Sequence, residues 1–343
     1  MLGLRERGHR AVLVAHPRGE LHARASEGVD LIGLAPRNEI DLSAAWKLSR
    51  VIRQYQPAIV HAHDPHAVAM AGTALSFGAT TPTPPLVASR RVDFRLAGNS
   101  FSRWKYRQVT RFIAASGAIR DILVEDGIPP DDVTVVHDGI DVAKVQGLPR
   151  LDAHVEFWLP HGVPLVMNVG ALVGHKGQTH LIDAMPLVMR EVPEAHLVIL
   201  GEGELRTPLE RQLKDLHLER VVRMPGFRED VLSLMKSADL FVMSSVTEGL
   251  GSAVLDAMAM GLAVVGTRAG GIPEVVVHGE TGLLVPPGEP KPLAAAIVRL
   301  LKDPELRSRY GTAGRARVEK HFGVDALVEG TLAVYRELAR DRL

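Results

Sequence analysis

Two carboxylates, Glu248 and Asp256, stand eight residues apart in the most glycine-punctuated stretch of the chain, residues 244–288. Glu248 lies in the loop Glu248-Gly249-Leu250-Gly251, Ser252 opens an apolar-periodic helix over 252–260, and Asp256 falls inside that helix. Carboxylates are good acceptors for sugar hydroxyls. A helix start offers free N–H groups and partial positive charge, which suit phosphate. The pair therefore points to a ligand carrying both hydroxyls and phosphates, set against the plain reading of two solvated acids. Farther back, Lys176 closes the loop Gly170-Ala171-Leu172-Val173-Gly174-His175-Lys176-Gly177 at another helix start. A cation there can neutralise a diphosphate. The loop is not a P-loop, because His175 replaces the required glycine and Gly177 the Ser/Thr. Gly201-Glu202-Gly203 begins a dinucleotide fingerprint, but Arg206 stands where its third glycine belongs.

The elements that must hold these residues read as strand–loop–helix units. Apolar runs at 165–169, 196–200, 221–224, 238–243 and 262–267 predict buried parallel strands. Helices are predicted from Gln178, over 252–260, and then over 292–302, 305–310, 314–321 and 324–342. In open parallel sheets, ligands bind outside the carboxyl ends of the strands, where all the residues above fall. The first half repeats the pattern, with strands predicted at 11–15, 29–34, 58–61, 86–89, 112–115 and 133–136 and a helix at 41–55 begun by Asp41 or Ser43. The Pro- and Gly-rich segment 145–164 marks the interdomain boundary.

Two clusters in the first half carry further chemistry. The strand at 58–61 empties into His61-Ala62-His63-Asp64-Pro65-His66. Imidazoles there can bind zinc, finish a strand against backbone, or face an acceptor. Residues 90–112 hold Arg90, Arg91, Arg95, Arg103, Lys105, Arg107 and Arg111 against one acid, Asp93, with Phe94, Phe101, Trp104, Tyr106 and Phe112 interleaved. That pattern suits an anionic acceptor or an anionic membrane surface, or else a solvated basic helix with its aromatics in the core. It would also suit single-stranded nucleic acid, but a formal net charge of zero argues against a dedicated nucleic-acid binder. The charge is uneven: residues 1–150 hold 19 Lys and Arg against 15 Asp and Glu, and the remainder is correspondingly acidic. No cysteine is present, which excludes disulfides and thiolate metal sites.

The stretch around Glu248 resembles the E-x7-E region of retaining GT-B glycosyltransferases of family 4. Glu248-Gly249-Leu250-Gly251 is similar to that family's Glu-Gly-Phe-Gly, Asp256 occupies the place of its second Glu, and Gly270 to Glu274 and Thr281 to Val285 follow its Gly-Gly-Ile-Pro-Glu and Thr-Gly-Leu-Leu-Val. His137-Asp138-Gly139-Ile140-Asp141 is similar to the turn that ends its first domain. The resemblance implies an α/β chain of GT-B fold: two Rossmann-like doubly wound domains facing a cleft. Residues 1–150 would form the acceptor-side domain, 151–323 the nucleotide-sugar-binding domain, and 324–343 a helix crossing back to the first, with Tyr335 and Leu338 packing it.

By position, the resemblance assigns Glu248 to the donor sugar, Asp256 to the ribose and Lys176 to the diphosphate, with Gly249, Leu250, Gly251, Ser252, Gly203, Phe227 and Arg228 completing the donor site. Glu248, Lys176 and His63 are the expected catalytic residues; His63, Asp64, His66, Arg90 and Arg91 the expected acceptor side. The family's second phosphate cation is Ala171 here, so Arg228 or Arg268 would have to supply it. The implied reaction moves a sugar from a nucleotide-diphosphate donor to an acceptor hydroxyl with retention, without metal or cofactor, in cell-envelope glycan or glycolipid synthesis. The acceptor would be a glycan or lipid-linked molecule, met by a cytoplasmic protein able to sit at the inner membrane face through 90–112. The family pattern begins with a strand and glycine-rich loop, whereas residues 2–7 read as a helix end. The expectation is an N-terminally truncated chain, poorly active without that strand. Three alternatives remain: a non-catalytic nucleotide-sugar-binding protein, a metallohydrolase built on His61, His63 and His66, and a nucleotide-sugar epimerase of the same fold.

Overall fold

The computed structural model describes residues 1–25, 29–78, 80–96 and 98–339. These form two compact units, one of residues 1–137 with 324–343 and the other of residues 138–323. The predicted end of the last helix at 342 lies outside the described residues; the helix Val324–Leu338 is what the structure shows.

The first unit contains β1 (Val12–Ala15), β2 (Asp30–Gly33), β3 (Val60–Ala62), β4 (Leu86–Arg90), β5 (Arg111–Ala114) and β6 (Val133–Val135). All pairings are parallel, but they make two sheets: β1-β2 and β3-β4-β5-β6. No described strand joins β1 to β3. Asp41 starts the helix Leu42–Tyr55 by accepting the Ser43 and Ala44 N–H groups at 3.0 and 3.1 Å. Ala44, Ala45, Leu48 and Ile52 recur at helical spacing and bury one face of it against Met70 and Ala74.

The second unit is one six-stranded parallel sheet: β7 (Leu165–Val169), β8 (His196–Leu200), β9 (Val222–Gly226), β10 (Leu240–Met243), β11 (Ala263–Thr267) and β12 (Gly282–Val285), in the order β12-β11-β10-β7-β8-β9. Numbered within the unit, this is the doubly wound order 3-2-1-4-5-6, whose direction reverses between β7 and β10. The sheet is buried on both faces. Along β10, Leu240 and Val242 enter one core and Phe241 and Met243 the other, as the two-residue strand period requires. Burying each such side chain contributes about 1.5–3 kcal/mol.

Two sequence expectations are corrected here. The units divide at His137/Asp138 rather than at 150. Beyond Asp141, which caps the helix Val142–Gly147, Val145, Ala153, Phe157 and Leu159 pack into the second unit's core, and Lys236 binds the Gln146 and Leu148 carbonyls. The short helices predicted at 305–310 and 314–321 are one helix, Pro304–His321. Gly311, between the two predicted pieces, allows close approach: a Cβ there would sit 1.9 Å from the Gly261 carbonyl oxygen.

Candidate active site

The switch point between β7 and β10 is where the sheet order places a ligand. The loop after β7 carries Lys176 there, and the loop after β10 carries Glu248. The loops are tied together: Val246 N–H donates to the His175 carbonyl at 2.7 Å, and the Ser244 hydroxyl to the Lys176 carbonyl at 3.1 Å. Their side chains meet directly. Lys176 Nζ donates to both Glu248 carboxylate oxygens, at 3.0 and 2.7 Å. The Ser245 hydroxyl adds a third contact at 2.9 Å. Glu248 is only 8% exposed, so water does little to weaken this pair.

The backbone of Glu248 is pinned as well. Gly271 N–H donates to its carbonyl at 3.1 Å, and Gly270 packs against the same oxygen with φ +48°. A Cβ at Gly270 would lie 1.7 Å from that oxygen. Gly270→Ala is therefore expected to displace the Glu248 loop and destabilise the second unit by about 2–4 kcal/mol, combining overpacking with left-handed backbone strain. A thermal melt and a nucleotide titration on the variant check this; an unchanged Tm contradicts it.

The helix Ser252–Ala259 begins immediately after Gly251, which adopts φ +93°. Its first-turn amides lack intrahelical acceptors, as at any helix start, and Ser252 is exposed there. Asp256 is half-buried on this helix, and burial raises its carboxyl from 3.8 to about 6. Between those values the folded chain keeps a proton that the unfolded chain has released. Stability therefore falls as pH rises through this window and stays lower above it. Asp256→Asn should remove that slope and raise Tm near neutral pH while weakening nucleotide binding. Parallel melts across pH 4 to 8 measure it, and identical slopes for parent and variant would refute it.

The other expected donor residues lie as follows. Leu250 is buried in the core beside Val254 and Ile272. Gly203 lets the loop after β8 pass the Leu172 backbone, where a Cβ would meet the carbonyl oxygen at 2.4 Å. Phe227 is exposed at the end of β9. Arg228 is engaged by carboxylates: Asp230 bidentately at 2.8 and 2.7 Å, and Glu156 at 2.7 Å. Of the two arginines considered as a second phosphate cation, Arg268 is the one whose side chain has no hydrogen bond or ion pair among the described residues. It is exposed just past β11. Ser245 was not foreseen; a polar Ser244-Ser245 pair closing an apolar strand is the signal that would have found it.

In the first unit the histidines separate. His61 is enclosed: Nε2 lies 2.8 Å from the Ser89 hydroxyl, and Nδ1 bonds the Tyr335 hydroxyl. His63 stacks on His61 with ring centroids 4.2 Å apart. Its surroundings and the Arg91 charge lower its pKa to about 4. His66 turns to Glu39 at 3.2 Å, and Asp64 caps the helix Pro65–Ser76 through Ala67 N–H. With both His61 nitrogens taken and His66 turned away, the trio does not form the donor set of a dinuclear metallohydrolase. No group of three metal-ligating side chains is found among the described residues.

Within the basic segment, Arg90 is buried and donates to the Phe94 carbonyl, Lys105 pairs with Glu39, Arg95 with Glu125 and Asp126, and Arg111 with Glu337. Phe94, Arg103, Trp104 and Arg107 remain exposed. No helix among the described residues is long and apolar enough to cross a membrane.

Residues 152–317 match the family described as Glycosyl transferases group 1, and residues 1–144 match Glycosyltransferase Family 4. The chain is 32% identical to the alpha-maltose-1-phosphate synthase of Mycolicibacterium smegmatis, over 71% of this chain and 68% of that protein. The chain belongs to glycosyltransferase family 4. It is also 27% identical to the N-acetyl-alpha-D-glucosaminyl L-malate synthase of Bacillus anthracis, over 88% of this chain and 80% of that one. Its fold is GT-B: Anabaena Alr3699/HepE, solved in complex with UDP-glucose, superposes with a TM-score of 0.80 at 22% identity, over 97% of this chain and 92% of that one. This family 4 chain is thus a glycosyltransferase, with two Rossmann-like units of parallel sheet.

Proposed function

We propose that this glycosyltransferase binds a nucleoside-diphosphate sugar, a UDP-sugar first among those to test, in its second unit and transfers the sugar with retention to an acceptor hydroxyl. The reading is carried by the Lys176–Glu248 pair at the β7/β10 switch point, beside the start of the Ser252–Ala259 helix. The leaving diphosphate gains negative charge as the glycosidic bond breaks. Lys176 and the first-turn amides are the groups placed to stabilise that charge, with Arg268 as the second cation in place of the family's arginine. Glu248 accepts hydrogen bonds from the sugar once the diphosphate draws Lys176 away from it, and ionised Asp256 accepts from the ribose. Ligand complexes of the relatives, such as Anabaena Alr3699/HepE with UDP-glucose, support the choice of donor.

The acceptor is a glycan or lipid-linked hydroxyl of the cell envelope, recognised on the first unit around His63, Arg90 and Arg91. With a lipid-linked acceptor, exposed Phe94, Arg103, Trp104 and Arg107 lie against anionic headgroups. Co-flotation with anionic but not neutral vesicles tests that contact, and equal flotation with both, or with neither, removes it. The central experiment titrates UDP, GDP and ADP calorimetrically, then follows the anomeric configuration of the sugar released from the preferred donor. Binding of one diphosphate with products of retained configuration is expected. Inverted product, or no binding of any of the three, overturns the proposal.

A further inference from the structure

We propose that Tyr335, on the last helix of the chain, is a positioning residue for His63 and acts through His61. The inference rests on the reading of His63 as an acceptor-side group, and its test is built to separate the two.

His61 sits in the middle of β3, in register with Val87 of the neighbouring β4. Two residues further along β4, the Ser89 hydroxyl reaches His61 Nε2 at 2.8 Å. From the opposite side the Tyr335 hydroxyl meets Nδ1, with the two rings edge to face at 85°. A neutral imidazole has one donor and one acceptor nitrogen. With a hydroxyl on each, the ring of His61 is fixed in plane. Hydroxyls can donate or accept, so the network is satisfied without charge. Burial keeps the imidazole neutral, well below its ordinary pKa.

His63 is the next side chain on the same side of the strand, at the carboxyl end of the sheet where ligands bind. It is exposed, yet its ring lies against His61 at 4.2 Å with an interplanar angle of 27°. The His63 ring therefore takes its plane from a neighbour that is itself held at both nitrogens. Tyr335 comes from 274 residues away in sequence to provide one of those holds. Its ring is also packed in a small core with Val87, Ile113 and Val136, so the hydroxyl cannot swing aside without moving the ring. The last helix thus anchors a ligand-facing imidazole in addition to covering the sheet.

The test uses the full chain with Tyr335→Phe, which removes the hydroxyl and keeps the ring. Three quantities are read: nucleotide-diphosphate affinity, kcat and KM for the acceptor, and the imidazole nitrogen spectrum of His61 and His63. The expected result is nucleotide affinity within about twofold of the parent, kcat lower by about 10-fold as a displaced group costs, a changed tautomer balance at His61, and displaced His63 resonances. Ser89→Ala, which frees the other nitrogen, should move the same signals in a protein whose Tyr335 packing is untouched. A loss of thermal stability with unchanged His63 resonances and unchanged kcat makes Tyr335 a packing residue and overturns the proposal. If the parent transfers no sugar at all, the acceptor reading of His63 fails. The nitrogen spectra still decide whether Tyr335 sets the His63 ring.

Discussion

Glu248→Ala is expected to lower sugar transfer by about 100-fold or more while leaving nucleoside-diphosphate affinity nearly intact, the pattern of a contact made in the transition state. The structure gives three reasons for so large an effect. The carboxylate is 8% exposed, so its hydrogen bonds act in a medium that strengthens them. Ser245 holds one of its oxygens, so the carboxylate keeps its orientation when the diphosphate draws Lys176 away. Its backbone is clamped by Gly270 and Gly271, which fixes where the side chain starts. Alanine removes the acceptor and leaves Lys176 free to bind phosphate, so affinity for the bare nucleotide should hold or improve. Steady-state kinetics with calorimetry on the same preparation decide the matter. Equal turnover of parent and variant would end the assignment.

Lys176→Ala should weaken binding of the nucleoside diphosphate by more than ~1.5 kcal/mol, at least about 10-fold, and leave binding of the nucleoside alone unchanged. A second consequence follows from the pair with Glu248. Alanine leaves a buried carboxylate with Ser245 as its remaining side-chain partner, and an under-satisfied buried group costs about 1–3 kcal/mol. Tm should therefore fall in Lys176→Ala and recover when Glu248→Gln is added, because the uncompensated charge is then gone. If nucleoside and diphosphate affinities weaken together, Lys176 shapes the loop and does not meet the phosphates.

Much of this was legible along the chain because it is local. Parallel strands buried on both faces must be continuous apolar runs, so β7, β8, β10 and β11 stand out without any partner being known. Their carboxyl ends are where the next polar residues fall, and this locates Lys176, Glu248 and Asp256. Helix caps such as Asp41 are equally local, since the acceptor and its amides are two or three residues apart.

What spacing could not supply is which residues meet across the sheet. Arg228 and Arg268 were equivalent candidates until Glu156 and Asp230 were found to occupy the first. Two helices were expected where Pro304–His321 is one, with Gly311 in its middle against the Gly261 carbonyl. The His61–His63–His66 run has the types and spacing of a metal site. Ser89 of β4, Tyr335 of the last helix and Glu39 of a turn separate it into a buried anchor, a stacked imidazole and a side chain turned to a carboxylate. The sequence by itself determined the strands β1 to β11 and the polar loops at their ends, because hydrophobic periodicity and turn residues act over a few positions. The tertiary structure alone decided which cation is committed, which histidine is enclosed and which hydroxyls hold it, because those partners lie up to 274 residues apart and are joined only when the strands and the last helix pack.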